Sequence, residues 1–396
     1  MAQSFSPKKY FSKVYAYDLL KDLYKKHNAE VFVEVNDQTP RKVAVDMMLE
    51  SFNAIDTEQK IDIEKELTNI ASFSTDNTAL LAKNLFKEIY KKEFEPEVEC
   101  ESAHDVILYF FLNHEDLIDD LIFLHEFYLS KNYFKYKTGD YKKEDLNKNL
   151  NELKNDWERI ANDNSKATEC EFTTKEIGDI LYVRSVFEGS YERQVKINSK
   201  TGEVDRANTV RKIETVRLAY LPKENIALIS GSVSKPKKLY FLDSFLRTVC
   251  QSGYDGKIET FDVSPLKNLS FEFLSINKGT PLMKWKIKNI TLSYKEGKKK
   301  LRLTLNSDKN TLGLDPLSET LEELGMKERF ETLNIENIAL SFSFNNEEKE
   351  KSLVNVSCLI SKGKTNLCPL FKYDNYALKL LKLAEINKGF EEVEGK

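Results

Sequence analysis

This chain is poor in the residues that most often do chemistry. It has four histidines, all before residue 126, so an imidazole base acting with a serine or cysteine of the C-terminal half would have to cross a domain boundary. Its five cysteines, Cys100, Cys170, Cys250, Cys358 and Cys368, are widely spread and form no C-x-x-C pair. That spacing excludes a disulfide framework and a zinc site of ordinary pattern. The longest apolar run, Val106 to Leu112, is seven residues, against the roughly twenty needed to cross a bilayer. No membrane partner is expected. The opening MAQSFSPKKYFSK lacks the apolar stretch of a secretory signal, and the expected location is the cytoplasm. Nine prolines and fourteen glycines, with no long biased tract, leave a chain that should fold over most of its length.

Recognisable catalytic motifs are missing as well. There is no G-x-S-x-G, H-E-x-x-H, G-x-G-x-x-G or EF-hand loop. The stretch CLISKGKT, 358–365, looks like the end of a phosphate-binding loop, but Cys358 stands where a glycine is required and NLCP follows in place of a helix. A hairpin or loop before the last helix fits better. Nothing implies a cofactor or a metal, and a non-catalytic role is expected. Nucleases built on scattered Asp, Glu and Lys leave no signature in one sequence, so an unrecognised hydrolase or nuclease stays open as a third class.

What the chain has in quantity is charge, unevenly placed. Residues 1–165 carry 22 Lys and Arg against 32 Asp and Glu, net −10, while residues 166–396 carry 38 against 32, net +6. The two parts are electrostatically different objects, although solvated faces or mutual attraction would also account for the difference. Fifty lysines to ten arginines, with many Asn and Ile, point to an AT-rich bacterial genome.

The apolar period divides the chain. Up to residue 165 it is helical: Ser6-Pro7, Thr39-Pro40 and Ser102-x-x-Asp105 read as helix starts, and IDIEKELTNIASF and ALLAKNLFKEIY repeat apolar residues at three and four. Leu146, Leu150, Leu153, Trp157 and Ile160 form a short heptad seam, expected to dock on a neighbouring helix. NDNSKATE, 162–169, then marks a polar boundary. Beyond it DILYVRSVFEG, RKIETVRLAYLP and NIALISGSVS read as strands and KKLYFLDSFLRTVC as a helix. A second series follows: LMKWKIKNITLSY and KKLRLTLN around KEGKK, the helix PLSETLEELG, strands NIALSFSFNN and LVNVSCLIS, and the helix DNYALKLLKLAEI. The expectation is an α+β protein: an acidic helical domain 1–165, an α+β domain 166–275 with clustered arginines, and an α+β domain 276–396 with a basic hairpin, the last two as β-β-β-α units.

Two regions invite a functional reading. NHEDLIDDLIFLHEFYLS, 113–130, concentrates His114 and His125 with Glu115, Asp116, Asp119, Asp120 and Glu126. On one continuous helix both imidazoles fall within the apolar face and the carboxylates outside it, with the histidines too far apart along the axis to share a metal ion. The stretch reads as structural, with an acidic outer surface suited to a protein partner. The second region is basic. Arg184, Arg193, Arg206, Arg211 and Arg217, with Arg247, gather six of the ten arginines into one segment, interleaved with tyrosines. Arginine grips phosphate as a planar fork. Lys284, Lys286 and Lys288 share one strand face opposite Met283, Trp285 and Ile287, and Lys298, Lys299, Lys300 and Arg302 extend the ribbon. Such a surface suits a nucleic-acid backbone, although lysines guarding an edge strand would give the same alternation. The leading expectation is a bacterial nucleic-acid-binding protein, in a setting such as defence or a mobile element, with a protein-binding helical domain. A scaffold or regulatory subunit is the alternative.

Overall fold

The computed structural model describes residues 5–29, 35, 38–130, 133–138, 146–162, 170–193, 196–197, 204–205, 209–252, 257–294, 300–305, 313–346, 352–361 and 364–392. Arg206, the hairpin tip with Lys298 and Lys299, and the polar stretch 163–169 lie outside the described residues; of Arg193 and Arg211 only the backbone lies within them. The chain divides into two compact units, Met1–Leu129 and Ser130–Lys396.

The first unit contains α1 (Pro7–Phe11), α2 (Tyr17–Lys26), α3 (Arg41–Ala54), α4 (Thr57–Phe73), α5 (Asp76–Tyr90), α6 (Ala103–Asn113) and α7 (Ile118–Leu129). Its helix starts follow from side-chain chemistry. Ser6 caps α1 by position, Pro40 rather than Thr39 stands at the N-cap of α3, and at α6 the capping box is complete. Ser102 Oγ accepts from the Asp105 amide at 3.1 Å, and Asp105 Oδ2 accepts from the Ser102 amide at 2.8 Å. The other carboxylate oxygen accepts from the amides of Tyr15 and Ala16 at 2.8 and 3.1 Å. Asp105 is fully buried, and these donors compensate the loss of water. Leu20, Phe52, Ile63, Leu85, Ile107 and Leu121 bury the apolar faces that the spacing requires to be covered.

In the second unit the elements are β1 (Phe134–Lys137), α8 (Leu146–Asn162), β2 (Cys170–Ile177), β3 (Ile180–Arg193), β4 (Lys196–Ile197), β5 (Val204–Asp205), β6 (Thr209–Leu221), β7 (Ile226–Gly231), α9 (Lys235–Thr248), β8 (Lys257–Phe261), α10 (Phe273–Ile276), β9 (Leu282–Tyr294), β10 (Lys300–Thr304), α11 (Asp315–Glu323), β11 (Leu333–Asn345), β12 (Leu353–Ser361), β13 (Lys364–Thr365), α12 (Lys372–Leu383) and β14 (Asn387–Glu392). They build a seven-stranded sheet, β14-β8-β1-β7-β6-β3-β2, and a five-stranded sheet, β10-β9-β11-β12-β13. Neighbouring strands are antiparallel in both. With helices first and antiparallel sheets after them, the protein is α+β.

Helix α8 belongs to the second unit and not to the helical domain 1–165 expected from the sequence. Leu153, Trp157 and Ala161 enter one core with Val183 and Phe187 of β3, Val216 and Leu218 of β6, and Phe241 and Phe245 of α9. Trp157 Nε1 donates to the Phe241 carbonyl at 3.2 Å, fixing the indole between helix and sheet. A second core joins Trp285, Ile287, Ile290 and Leu292 of β9 to β11, β12 and α12. The two β-rich stretches are not separate in the chain, because the last strand, β14, returns to pair with β8 in the first sheet.

Candidate nucleic-acid interface

Strand β9 is built to present lysine. Its inward residues Trp285, Ile287, Ile290 and Leu292 are buried, which turns Lys284, Lys286, Lys288 and Thr291 outward. Trp285 is pinned from three sides: Nε1 donates to the Glu272 carboxylate, Phe273 meets its ring edge-on at 4.7 Å, and Gly313 lies against it at φ +66°. The Gly313 amide also bonds the Trp285 carbonyl at 2.9 Å. Glycine answers the positive φ required there.

Between register shifts at Ala339/Leu340 and Ser343/Phe344 the β9–β11 pairing sets Lys284 and Lys286 opposite small polar residues, and Lys288 falls at the first shift. Lys284 lies across from Ser343, which pairs in turn with Asn355 on β12; Lys286 lies across from Ser341, and then Ser357. Further along, Arg302 of β10 pairs with Thr291, and Thr291 with Asn337. Ser343 Oγ donates to Asn355 Oδ1 at 2.6 Å, and Ser361 Oγ donates to Asn337 Oδ1. Ser341 and Ser343 are themselves buried, while Asn355, Ser357 and Lys288 are exposed.

Lys288 is placed unlike a lysine that guards a free edge. Over Asn289–Ser293 strand β9 has partners on both sides; over its first half, among the described residues, the side away from β11 is met by Gly313 in one bridge to Lys286. A guarding lysine there would point off the edge. Lys288, at the register shift between Ala339 and Leu340, instead reaches across β11, and its Nζ donates to Ser357 Oγ on β12 at 3.3 Å. Glu336 supplies the carboxylate at one corner, bound to Ser293 Oγ at 2.7 Å and Lys300 Nζ at 3.0 Å. Among the described residues no carboxylate forms an ion pair with Lys284, Lys286 or Arg302. Among the described residues the face therefore carries an excess of positive charge over a bed of hydroxyls and amides.

The arginines are placed differently. Arg184 of β3 and Arg217 of β6 are direct cross-strand partners on the face of the first sheet away from α8 and α9. Arg184 Nη2 lies 2.5 Å from Glu171 Oε1, and its side chain is 16% exposed. Arg247, on α9, pairs with Asp243 at 3.0 Å. The backbones of Arg193 and Arg211 belong to the far ends of β3 and β6, opposite Thr209 and Tyr191. The structure thus brings Lys284, Lys286, Lys288, Lys300 and Arg302 together on one sheet and Arg184 with Arg217 on the other. Sequence reasoning missed Ser341, Ser343, Asn355 and Ser357. Their signal was present in the alternation of small polar with apolar residues through ALSFSFN and LVNVSCLIS.

The histidines are architectural. His114 is not on the helix of Leu117; it stands at the C-cap of α6, before a 3₁₀ turn at Glu115–Leu117, ringed by Phe86, Phe110 and Tyr109. His125 is buried, with Nδ1 3.2 Å from Thr78 Oγ1 and its ring against Phe73. Burial lowers the pKa of both. Among the described residues no group of three or more His, Cys, Asp or Glu could hold a metal ion. Burial also pushes the Cys250, Cys358 and Cys368 thiols up to about 12, so they stay protonated and poorly nucleophilic at neutral pH. In CLISKGKT the residues of β12 pair antiparallel with Lys364 and Thr365 of β13, and Cys358 lies inside the core.

The chain matches no family model and no curated protein. Its function rests on the geometry alone.

Proposed function

We propose that this is a non-catalytic bacterial nucleic-acid-binding protein whose five-stranded sheet lies against the phosphate backbone. The observation that carries the reading is the face of Lys284, Lys286, Lys288 and Arg302 over Ser341, Ser343, Asn355 and Ser357. Lysine and arginine neutralise phosphates, and hydroxyl and amide groups orient the backbone through hydrogen bonds. No aromatic ring accompanies these residues on the described face, so contact runs through phosphate rather than stacked bases. Duplex is therefore the preferred form, with little sequence dependence.

Arg184 and Arg217, together with Arg193, Arg206 and Arg211, remain second-rank contacts in this reading, because the two whose side chains are described lie half-buried. The helical unit supplies a protein-binding surface. Glu115, Asp116 and Asp119 are exposed on it, as are Ile61 and Leu129, 60% and 64% exposed. The alternative is a scaffold or regulatory subunit whose lysine face meets an acidic protein. Direct competition separates the two. Labelled duplex DNA and RNA should bind with a log-log salt slope near −3 or steeper, and Lys284→Gln/Lys286→Gln/Lys288→Gln should flatten that slope by about 3. Failure to bind any nucleic acid at low salt would leave the scaffold reading in place.

A further inference from the structure

One cleft in the second unit plays no part in the lysine face. It has a volume of about 390 Å³, within the range of small-molecule sites, and opens between the segment that follows β8 and the start of β11. Its floor is apolar. Phe261, the last residue of β8, and Ile360 of β12 are buried there, and Val263 and Ile335 lie half-buried over the same core. An apolar group seated on this floor would lose its own contact with water and cover theirs.

The rim carries charge of both signs. Asp262 precedes the 3₁₀ segment Ser264–Lys267, and its Oδ1 accepts from the Ser264 amide at 2.9 Å and the Ser264 hydroxyl at 2.6 Å. Its own amide donates to the Ile386 carbonyl at 2.8 Å, which anchors the backbone at this point. Against the upward pull of partial burial, the two Ser264 donors, then Lys388 and Lys267, hold the carboxyl below its usual range, so it is ionised at neutral pH. Oδ2 has no hydrogen-bond or ion-pair partner among the described residues. Lys267 lines the same cleft. Its Nζ donates to the Glu331 carbonyl at 3.1 Å and has donors to spare, and among the described residues it closes no ion pair with Asp262. Glu336, the other carboxylate of the rim, is already held by Ser293 Oγ and Lys300 Nζ.

A carboxylate and an ammonium that share a rim without pairing, above an apolar floor, are the complement of a small zwitterion with an apolar tail. We propose that this cleft binds a free α-amino acid with an apolar side chain, of the size of leucine or phenylalanine. Its ammonium would sit on Asp262 Oδ2, its carboxylate on Lys267 Nζ, and its side chain on the floor. Asn334, whose side-chain amide has no partner among the described residues, supplies a further donor to the carboxylate. A simple amine leaves Lys267 unmatched, and a simple carboxylate meets the like charge of Asp262. This site is independent of nucleic-acid contact on the lysine face.

The test uses the full chain titrated with L-leucine and L-phenylalanine and followed by calorimetry and thermal shift. At least one should bind saturably and raise the melting temperature. Each has two analogues that lack one charge: 3-methylbutylamine and 4-methylpentanoate for leucine, phenylethylamine and 3-phenylpropanoate for phenylalanine. For the amino acid bound more tightly, both analogues should bind at least about tenfold more weakly, through loss of a charge-assisted contact. Glycine, which keeps the charges and lacks the side chain, should also lose about tenfold or more. Asp262→Asn keeps the acceptor for Ser264 and with it the turn; it should weaken the amino acid about tenfold and leave the acid analogue no weaker. Lys267→Gln should weaken the amino acid and leave the amine analogue no weaker. A distorted cleft would weaken all three ligands together, and the analogue series on wild type decides if a variant does not fold. Lys284→Gln/Lys286→Gln/Lys288→Gln should leave amino-acid binding unchanged, which separates this site's failure from failure of the proposed interface. Absence of saturable binding by both amino acids, equal affinity for an amino acid and either of its analogues, or wild-type affinity in both Asp262→Asn and Lys267→Gln overturns the proposal.

Discussion

The helical unit and the sheet unit place charge for different ends. In Met1–Leu129 several buried or half-buried ionisable groups are met by partners: Asp105 holds four donors, His125 meets Thr78, and His27 Nε2 lies 2.7 Å from Glu66. In Ser130–Lys396 cations spread across sheet faces, some with few counter-charges and some half-enclosed. Removing charge from the first unit should therefore cost stability without touching binding, and removing it from the lysine face should do the reverse. Burial decides which outcome applies, and the sign of the charge does not.

The largest effect should come from reversing the lysine face. Lys284→Glu/Lys286→Glu/Lys288→Glu should reduce duplex affinity by roughly a thousandfold at low salt, since three phosphate contacts become repulsions. Each position should leave stability within about 0.5 kcal/mol, as for other surface substitutions, measured by urea unfolding. Loss of fold in this variant would break the comparison from the sheet side.

Next comes Asp105→Ala. It strands the amides of Tyr15, Ala16 and Ser102 and should destabilise by about 3–5 kcal/mol, with the wild-type salt slope for nucleic acid retained by whatever folds. Lys135 sharpens the rule within the sheet unit. Its side chain, on β1, is 6% exposed and 2.7 Å from Glu259 of β8, whose other oxygen accepts from Asn387 Nδ2 at 2.8 Å. Lys135→Met should cost about 3 kcal/mol by leaving the Glu259 carboxylate buried and unpaired, and pairing it with Glu259→Gln should recover much of that loss. Being enclosed, this cation should behave as Asp105 does and leave binding intact.

The smallest effect concerns pH. Burial, aided by Lys13, lowers the pKa of His104 from 6.5 to about 4, against the opposing pull of Asp105 and Asp76. The unfolded chain takes up the proton first, so this residue's contribution to stability is full above pH 6.5 and declines between 6.5 and about 4. His104→Gln should flatten the pH dependence of the melting temperature in that interval and leave it unchanged above.

Much of this fold was legible because local period and burial agree. The strands β9 and β12 and the capping box at Ser102 correspond to stretches whose alternation or capping residues admit one reading. The strands β1 and β14 were not legible: each is short, FKYK and NKGFEE, and gains its conformation from partners far along the chain. Helix α8 was legible as a helix that docks on a neighbouring helix, which is α9, but not as a member of the second unit, since a seam of Leu153 and Trp157 does not say which helix or sheet it meets. For the candidate site, the lysine alternation put Lys284, Lys286 and Lys288 on one face, whereas the hydroxyls beneath them depended on a strand register that only pairing reveals. Arg184 and Arg217 became neighbours for the same reason: 32 residues of chain lie between them, and register alone brings them together.

The measurement that bears most directly on the central claim is binding of the purified chain to duplex DNA and RNA across a salt series, wild type beside Lys284→Gln/Lys286→Gln/Lys288→Gln. The account predicts a steep wild-type slope that flattens by about 3 in the variant, with unfolding curves superimposed. No binding at low salt, or equal slopes for the two proteins, would contradict it.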